Sequence, residues 1–204
     1  MPPLVYTSTT LLCLLAAPAA PSSPVLANAA PAPCSAPAPC SAEEITWSPD
    51  RPLRIGDFRS AERVPGLSAE AATGIGAKSS AEPDGRRFRI TITSFFAPCD
   101  SWMRASQRNA YTLAHEQLHF DITELHARRL AARYVAEVTD HAGFTRVHSR
   151  FYEEAWAASR AMQRRYDGEV YGDEAAQARW AREVRAALRA LGAYAEKVVV
   201  LPIR

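Results

Sequence analysis

Apolar and polar residues alternate strictly along Phe88-Arg89-Ile90-Thr91-Ile92-Thr93, which predicts a strand with Phe88, Ile90 and Ile92 facing a core and the other three facing out. Residues 45–58 mix β-formers with Pro and Gly and predict short strands and turns. Residues 59–86, rich in Gly, Ala and Ser, predict loop with one brief strand at 73–77. From 106 to 137 the period changes to steps of three and four: Tyr111, His115, Leu118, Ile122 and Leu125 mark the buried stripe of a helix, with His119 close to its edge. A second helix is predicted over 150–165, with Phe151, Ala155, Ala158 and Met162 on one face, an interruption at Gly168 and a turn at Gly172. A third, over 173–196, turns Trp180, Val184, Leu188 and Leu191 inward, and 198–203 ends as a strand or extended tail. This order implies an α+β domain, a small N-terminal antiparallel sheet followed by three main helices.

Charge redraws the N-terminal part of the 204-residue chain, because residues 1–42 contain no Lys, Arg, Asp or Glu. Leu11-Leu12-Cys13-Leu14-Leu15-Ala16-Ala17 is too short to span a bilayer but suits the apolar centre of a signal peptide, and Ala27-Asn28-Ala29 offers small residues for cleavage. The expected organisation is a signal peptide over 1–29, a Pro/Ala-rich linker over 30–43 and a single folded domain over 44–204, in a secreted or periplasmic protein without stable membrane insertion. Cleavage after Ala29 would leave Cys34, Cys40 and Cys99; either one disulfide ties the linker to the loop at Cys99, or all three remain thiols. The net charge of +2, with Arg interleaved among Asp and Glu, argues against a nucleic-acid partner.

The sharpest chemical signal is His115-Glu116-Gln117-Leu118-His119. On a helix, residues four apart lie one above the other, so two imidazoles can ligate one cation from the same side while Glu116 reaches a water beside it. That donor set suits Zn2+, which brings the pKa of such a water to about 7 so that Glu116 can act as its general base. Other candidates are weaker. His126 shares the face of His115 and His119 but lies seven residues past His119, about 10 Å along the axis. Glu124 projects to the opposite face and reads as a surface or helix-pairing carboxylate; His141 and His148 read as solvent-facing residues of the inter-helix connection. Asp121 is either a partner that orients a ligand histidine or a solvated charge.

Four stretches together resemble a bacterial family of unknown function described as predicted secreted zinc-dependent proteases, related to the zincin-type metallopeptidases. They are 47–58 with Asp50-Arg51-Pro52-Leu53 and Asp57-Phe58; the strand ending near Phe95 with Ser101-Trp102; His115 through Ile122 with Glu124-Leu125 and Ala127-Arg128; and Tyr166-Asp167 with Glu169, Gln177 and Trp180. The resemblance implies a zincin-like metallohydrolase domain, an endopeptidase acting on a peptide or protein substrate, with a strand near the metal holding the substrate backbone, a role for which 88–93 is the natural equivalent. In that family the segment after Tyr-Asp usually continues to a His, whereas this chain has Tyr171. Asp167-x-x-x-Tyr171-Gly172 in turn resembles the spacing of aspartate-liganded zincins. Two readings follow. Either the family His is the third zinc ligand and a phenol stands in its place here, leaving an altered site, or, as the aspartate-liganded spacing implies, Asp167 is the third ligand and Tyr171 a catalytic hydroxyl donating to the oxyanion. Glu169, which continues the inward stripe of the second helix, is the substitute ligand. The rival from another class is a non-catalytic, zinc-stabilised binding domain of the cell envelope.

Overall fold

The computed structural model describes residues 40–170 and 172–203. The expected signal peptide, Cys34, most of the linker and Tyr171 lie outside them. Six strands are formed, β1 (Ile45–Thr46), β2 (Ala69–Glu70), β3 (Thr73–Ala81), β4 (Arg87–Phe96), β5 (Trp102–Met103) and β6 (Val198–Pro202), with three helices, α1 (Ala110–Glu137), α2 (His141–Val170) and α3 (Glu174–Ala190). The domain is α+β with antiparallel sheets.

The main sheet is built around β4. Its alternation holds along its length, with Phe88, Ile90, Ile92, Ser94 and Phe96 all buried on one face. β3 pairs with β4 from Thr73↔Phe96 to Ala81↔Phe88. On the other side β1 covers one end of β4 (Ile45↔Phe96) and β6 covers the other (Arg87↔Pro202 to Thr91↔Val198). This corrects two expectations. The sheet is not wholly N-terminal, because the last strand of the chain completes it. The 88–93 strand is central, with its backbone hydrogen bonds used on both sides, so it has no free edge to offer a substrate. Close approach across β3 and β4 requires glycine at position 74, where a Cβ would overlap the Phe95 ring.

α1 is buried nearly all round from Glu116 to Ala131 because it lies between the sheet and the other two helices. Leu118, Ile122 and Leu125 pack with Tyr166 and Val170 of α2 and with Trp180, Val184 and Leu188 of α3. Ala127, Leu130, Ala131 and Tyr134 pack on Ile75, Phe88, Ile90 and Ile92 of the sheet. Phe120 meets Leu53, Phe58, Phe96 and Met103. A helix covered on several sides does not show one apolar stripe, and this is why Glu124 was misplaced by its pattern. Far from lying at the surface, Glu124 is fully buried. It accepts from Ser94 Oγ (2.5 Å), Arg128 Nε (2.8 Å) and Lys197 Nζ (3.0 Å), joining α1 to β4 and to the segment before β6.

α2 starts nine residues before the expected 150 and passes through Gly168 without interruption. Asp140 supplies the start, its Oδ1 accepting from the Gly143 backbone N–H at 2.7 Å. The stop is Gly172, whose positive φ of 72° lets the chain turn, and Asp173 then caps α3 by accepting from Ala176 N. Ala158, expected on the inner face of α2, is exposed, and the buried stripe runs through Phe151, Ser159, Tyr166 and Val170 instead. His141 and His148 are both helical; His141 is exposed, whereas His148 is half-buried with Nδ1 2.7 Å from Tyr134 Oη. Cys40 and Cys99 form a disulfide that ties the chain just before β1 to the loop after β4. Among the described residues no helix is long and apolar enough to cross a membrane.

Candidate metal centre

Asn109 opens α1, its side chain accepting from Thr112 N at 2.9 Å, and six residues later the first of the paired histidines emerges. His115 Nε2 and His119 Nε2 lie 3.2 Å apart. Because α2 continues to Val170, its last turn carries Asp167 to the same point: Asp167 Oδ1 is 3.2 Å from His115 Nε2 and 2.9 Å from His119 Nε2. Three donor atoms from two helices therefore form a small triangle. Ligands around a tetrahedral zinc at about 2.0–2.1 Å stand about 3.3 Å from one another, so the triangle has close to the size of one face of such a polyhedron. The residues present fit a zinc ion in both donor type and spacing.

Tyr166 fixes the geometry. Its ring is fully buried, stacks on His115 (centroids 4.7 Å apart, planes at 25°) and meets His119 edge-on. Burial, with the nearby Glu116 and Asp167 charges, pushes its phenol far above the ordinary range, so it is a wall and not an acid. Behind His119, Thr123 Oγ1 donates to the His119 carbonyl (3.0 Å), pairs with Thr73 Oγ1 (2.8 Å) and accepts from Gln163 Nε2 (3.2 Å), which links both helices to the start of β3. His119 Nδ1 is buried and has no hydrogen-bond partner among the described residues.

Electrostatics at Asp167 and His119 oppose burial. Burial favours a neutral Asp167, but hydrogen bonds from both imidazoles and their charge overcome it and hold the carboxyl well below the usual carboxylate range. Burial likewise favours neutral His119, and Asp167 and Glu116 reverse this, raising its pKa. Glu116, only 4% exposed, behaves differently. Burial pushes its carboxyl up, and the neighbouring imidazoles and the Ala71 N–H, donating to Oε2 at 2.9 Å, counter this without cancelling it. A carboxylate with a raised pKa beside a cation site is a fit acceptor for a water proton.

These groups line a cleft of about 670 Å³. One wall is the segment from Leu67 to Ala71, containing β2, which lay in the region expected to be loop. β2 pairs with β5, and the Ser68 carbonyl accepts from Arg104 N, so the hydrogen-bonding pairs on that side are Ser68 and Glu70. Alternation then points the backbone groups of Ala69 and Ala71 toward α1, and the Ala71 N–H is the one that meets Glu116. No side-chain pattern marks this two-residue strand, so the sequence carried no signal for it. Tyr166, in contrast, continues the second helix's stripe four residues past Met162 and could have been found.

The remaining candidates are elsewhere. Glu169 is not brought to the histidines: it accepts from Arg165 Nε (2.7 Å) and from Trp180 Nε1 (2.8 Å) on the outside of α2 and α3. His126 is buried beside Arg129, with Arg129 Nη1 3.3 Å from its Nε2, and does not join the cluster. Asp121 accepts from Trp47 Nε1 (2.8 Å) and Gln117 Nε2 (2.9 Å), so it anchors the N-terminal segment and orients no ligand histidine. Gln117, the third residue of the His115–His119 motif, also accepts from Leu53 N, and Arg51 grips Asp57 with two bonds of 2.7 and 2.8 Å. The 47–58 stretch is thus a buttress against the back of α1. No family model matches the chain, and no curated protein or solved structure is detectably similar to it.

Proposed function

We propose that the protein is a zinc-dependent peptidase of zincin-like design acting on exported peptides or proteins, with His115, His119 and Asp167 as metal ligands. The observation that carries this reading is the convergence of the three donor atoms beside a buried carboxylate with a raised pKa. Zinc held there supplies Lewis acidity, polarising a carbonyl and bringing the pKa of a water to about 7. Glu116 would accept the proton of an attacking water at this site and would return it to the leaving amine. The backbone edge at Ala69 takes the role first expected of 88–93, aligning a substrate strand by main-chain hydrogen bonds, while the Ala71 N–H holds Glu116. The reading keeps Tyr171 as hydroxyl donor to the oxyanion, the role that the Asp167-x-x-x-Tyr171-Gly172 spacing implies. The Cys40–Cys99 disulfide accords with a secreted or periplasmic location, since such bonds persist in oxidising compartments.

The test combines metal analysis with hydrolysis. Wild type and Glu169→Ala are expected to bind one zinc and Asp167→Ala to lose it, while Glu116→Gln retains zinc and loses cleavage of a quenched peptide library by at least ~100-fold. Zinc retained by Asp167→Ala refutes the ligand set. Zinc-loaded wild type with no hydrolysis of any peptide, or undiminished hydrolysis by Glu116→Gln, refutes the enzyme.

A further inference from the structure

Gln117 and Asp121 sit on the side of α1 facing away from His115 and His119, and there they border a second cleft of about 650 Å³. Its walls are Trp47 with Pro49 and Pro52 on one side and Arg185 and Arg189, one turn apart on α3, on the other. The Arg128 guanidinium lies over the Trp47 ring, 5.3 Å from its centroid. Arg128 is only 7% exposed yet incompletely bound: Nε donates to Glu124 and Nη1 to the Leu188 carbonyl, while Nη2 meets no acceptor among the described residues. Nη2 is not sealed from solvent, so this N–H edge is open to an acceptor that enters the cleft. Arg185 and Arg189 are exposed, and neither forms an ion pair among the described residues.

We propose that this cleft binds a phosphomonoester group. Glu124, Lys197 and Arg128 together leave one positive charge, Arg185 and Arg189 add two, and Asp121, the one acidic side chain of the wall, removes one. The surplus of two matches a phosphate dianion, where a carboxylate would match a single guanidinium. The Trp47 indole, held by Asp121, and the two prolines give an apolar wall for the group that carries the phosphate. The site is independent of the peptidase reading and survives its failure.

The experiment follows the Trp47 indole N–H by NMR in the isotopically labelled protein, its resonance identified with Trp47→Phe. Titration with inorganic phosphate and with glycerol phosphate at constant ionic strength is expected to give a saturable shift. Arg185→Ala combined with Arg189→Ala, both exposed and tolerable to the fold, is expected to weaken binding at least ~10-fold, whereas Asp167→Ala binds as wild type does. Sedimentation with vesicles of phosphatidic acid in phosphatidylcholine, against phosphatidylcholine alone, distinguishes a lipid headgroup from a soluble phosphomonoester as the source. A shift that chloride reproduces, a response that never saturates, or equal affinity in the double variant overturns the proposal.

Discussion

Acidification should destabilise this domain through one residue of α1. His126 is buried beside Arg129, and burial first, then the Arg129 charge, lowers its pKa from 6.5 to about 4. The folded protein therefore keeps the imidazole neutral in a range where the unfolded chain protonates it. Since the unfolded state binds more protons between pH 6.5 and 4, stability falls as the pH drops through that window and levels off below it. A displacement of about 2.5 pH units at ~1.4 kcal/mol each, less the part already lost at pH 7 and not yet lost at pH 4, comes to about 3 kcal/mol. Urea denaturation of wild type and His126→Gln at pH 7, 6, 5 and 4, with chelator present so that metal loss is common to both, should show wild type losing about 3 kcal/mol more than the variant. His148, shifted the same way by burial, and the carboxylates contribute equally to both proteins. Parallel pH profiles would refute the argument, as would a His126 ring resonance titrating near 6.5 in the folded protein.

Three other outcomes follow from single contacts. Gly168→Ala should stabilise the last turn of α2 by about 1 kcal/mol, since a Cβ there meets nothing and the residue is helical, while Gly172→Ala should destabilise by a similar amount because of its φ of 72°; denaturant midpoints of the pair decide it. Glu124→Ala strands Lys197 and Arg128 without their carboxylate and should cost about 3–5 kcal/mol in urea unfolding. Reducing Cys40–Cys99, which spans 59 positions, should remove about 4 kcal/mol on the chain-entropy account, measured by comparing oxidised protein with Cys40→Ser, Cys99→Ser.

What could be read in advance depended on how many sides of an element are covered. β4 has one buried face, so its period of two was legible down to which residues point inward. α3 also buries one face, and Trp180, Val184 and Leu188 were legible for the same reason. α1 was located within four residues, but its partners were not, because a helix covered by a sheet and two helices hides Glu124 inside while its pattern still suggests an outer face. The start of α2 was missed since Asp140 and Gly143 look like turn residues, although an aspartate cap in front of Phe144 was present in the sequence. At the site, the His115–His119 spacing needed only local geometry, and the placement of Asp167 needed α2 to continue past Gly168. β2 could not be seen at all, being two residues whose strand character comes from pairing with β5 and not from their own side chains.

The interruption expected at Gly168 and an approach of Asp167 to the histidines were in tension, and the structure removes the first by carrying α2 on to Val170. Ending α2 before Gly168 would have freed Asp167 onto a loop, where a carboxylate samples many positions. Instead the helix runs on to Val170, Tyr166 is locked between His115 and Trp180, and Asp167 is the next residue on the same rigid turn. The direction of the Asp167 carboxylate is thus set by the packing of its neighbour against the very histidines it approaches. Any substitution that loosens Tyr166, such as Tyr166→Ala, removes that registration without touching a donor atom, and on the proposed ligand set it is expected to lower the zinc content of the purified protein, whereas unchanged zinc content would show that the donors alone assemble the triangle.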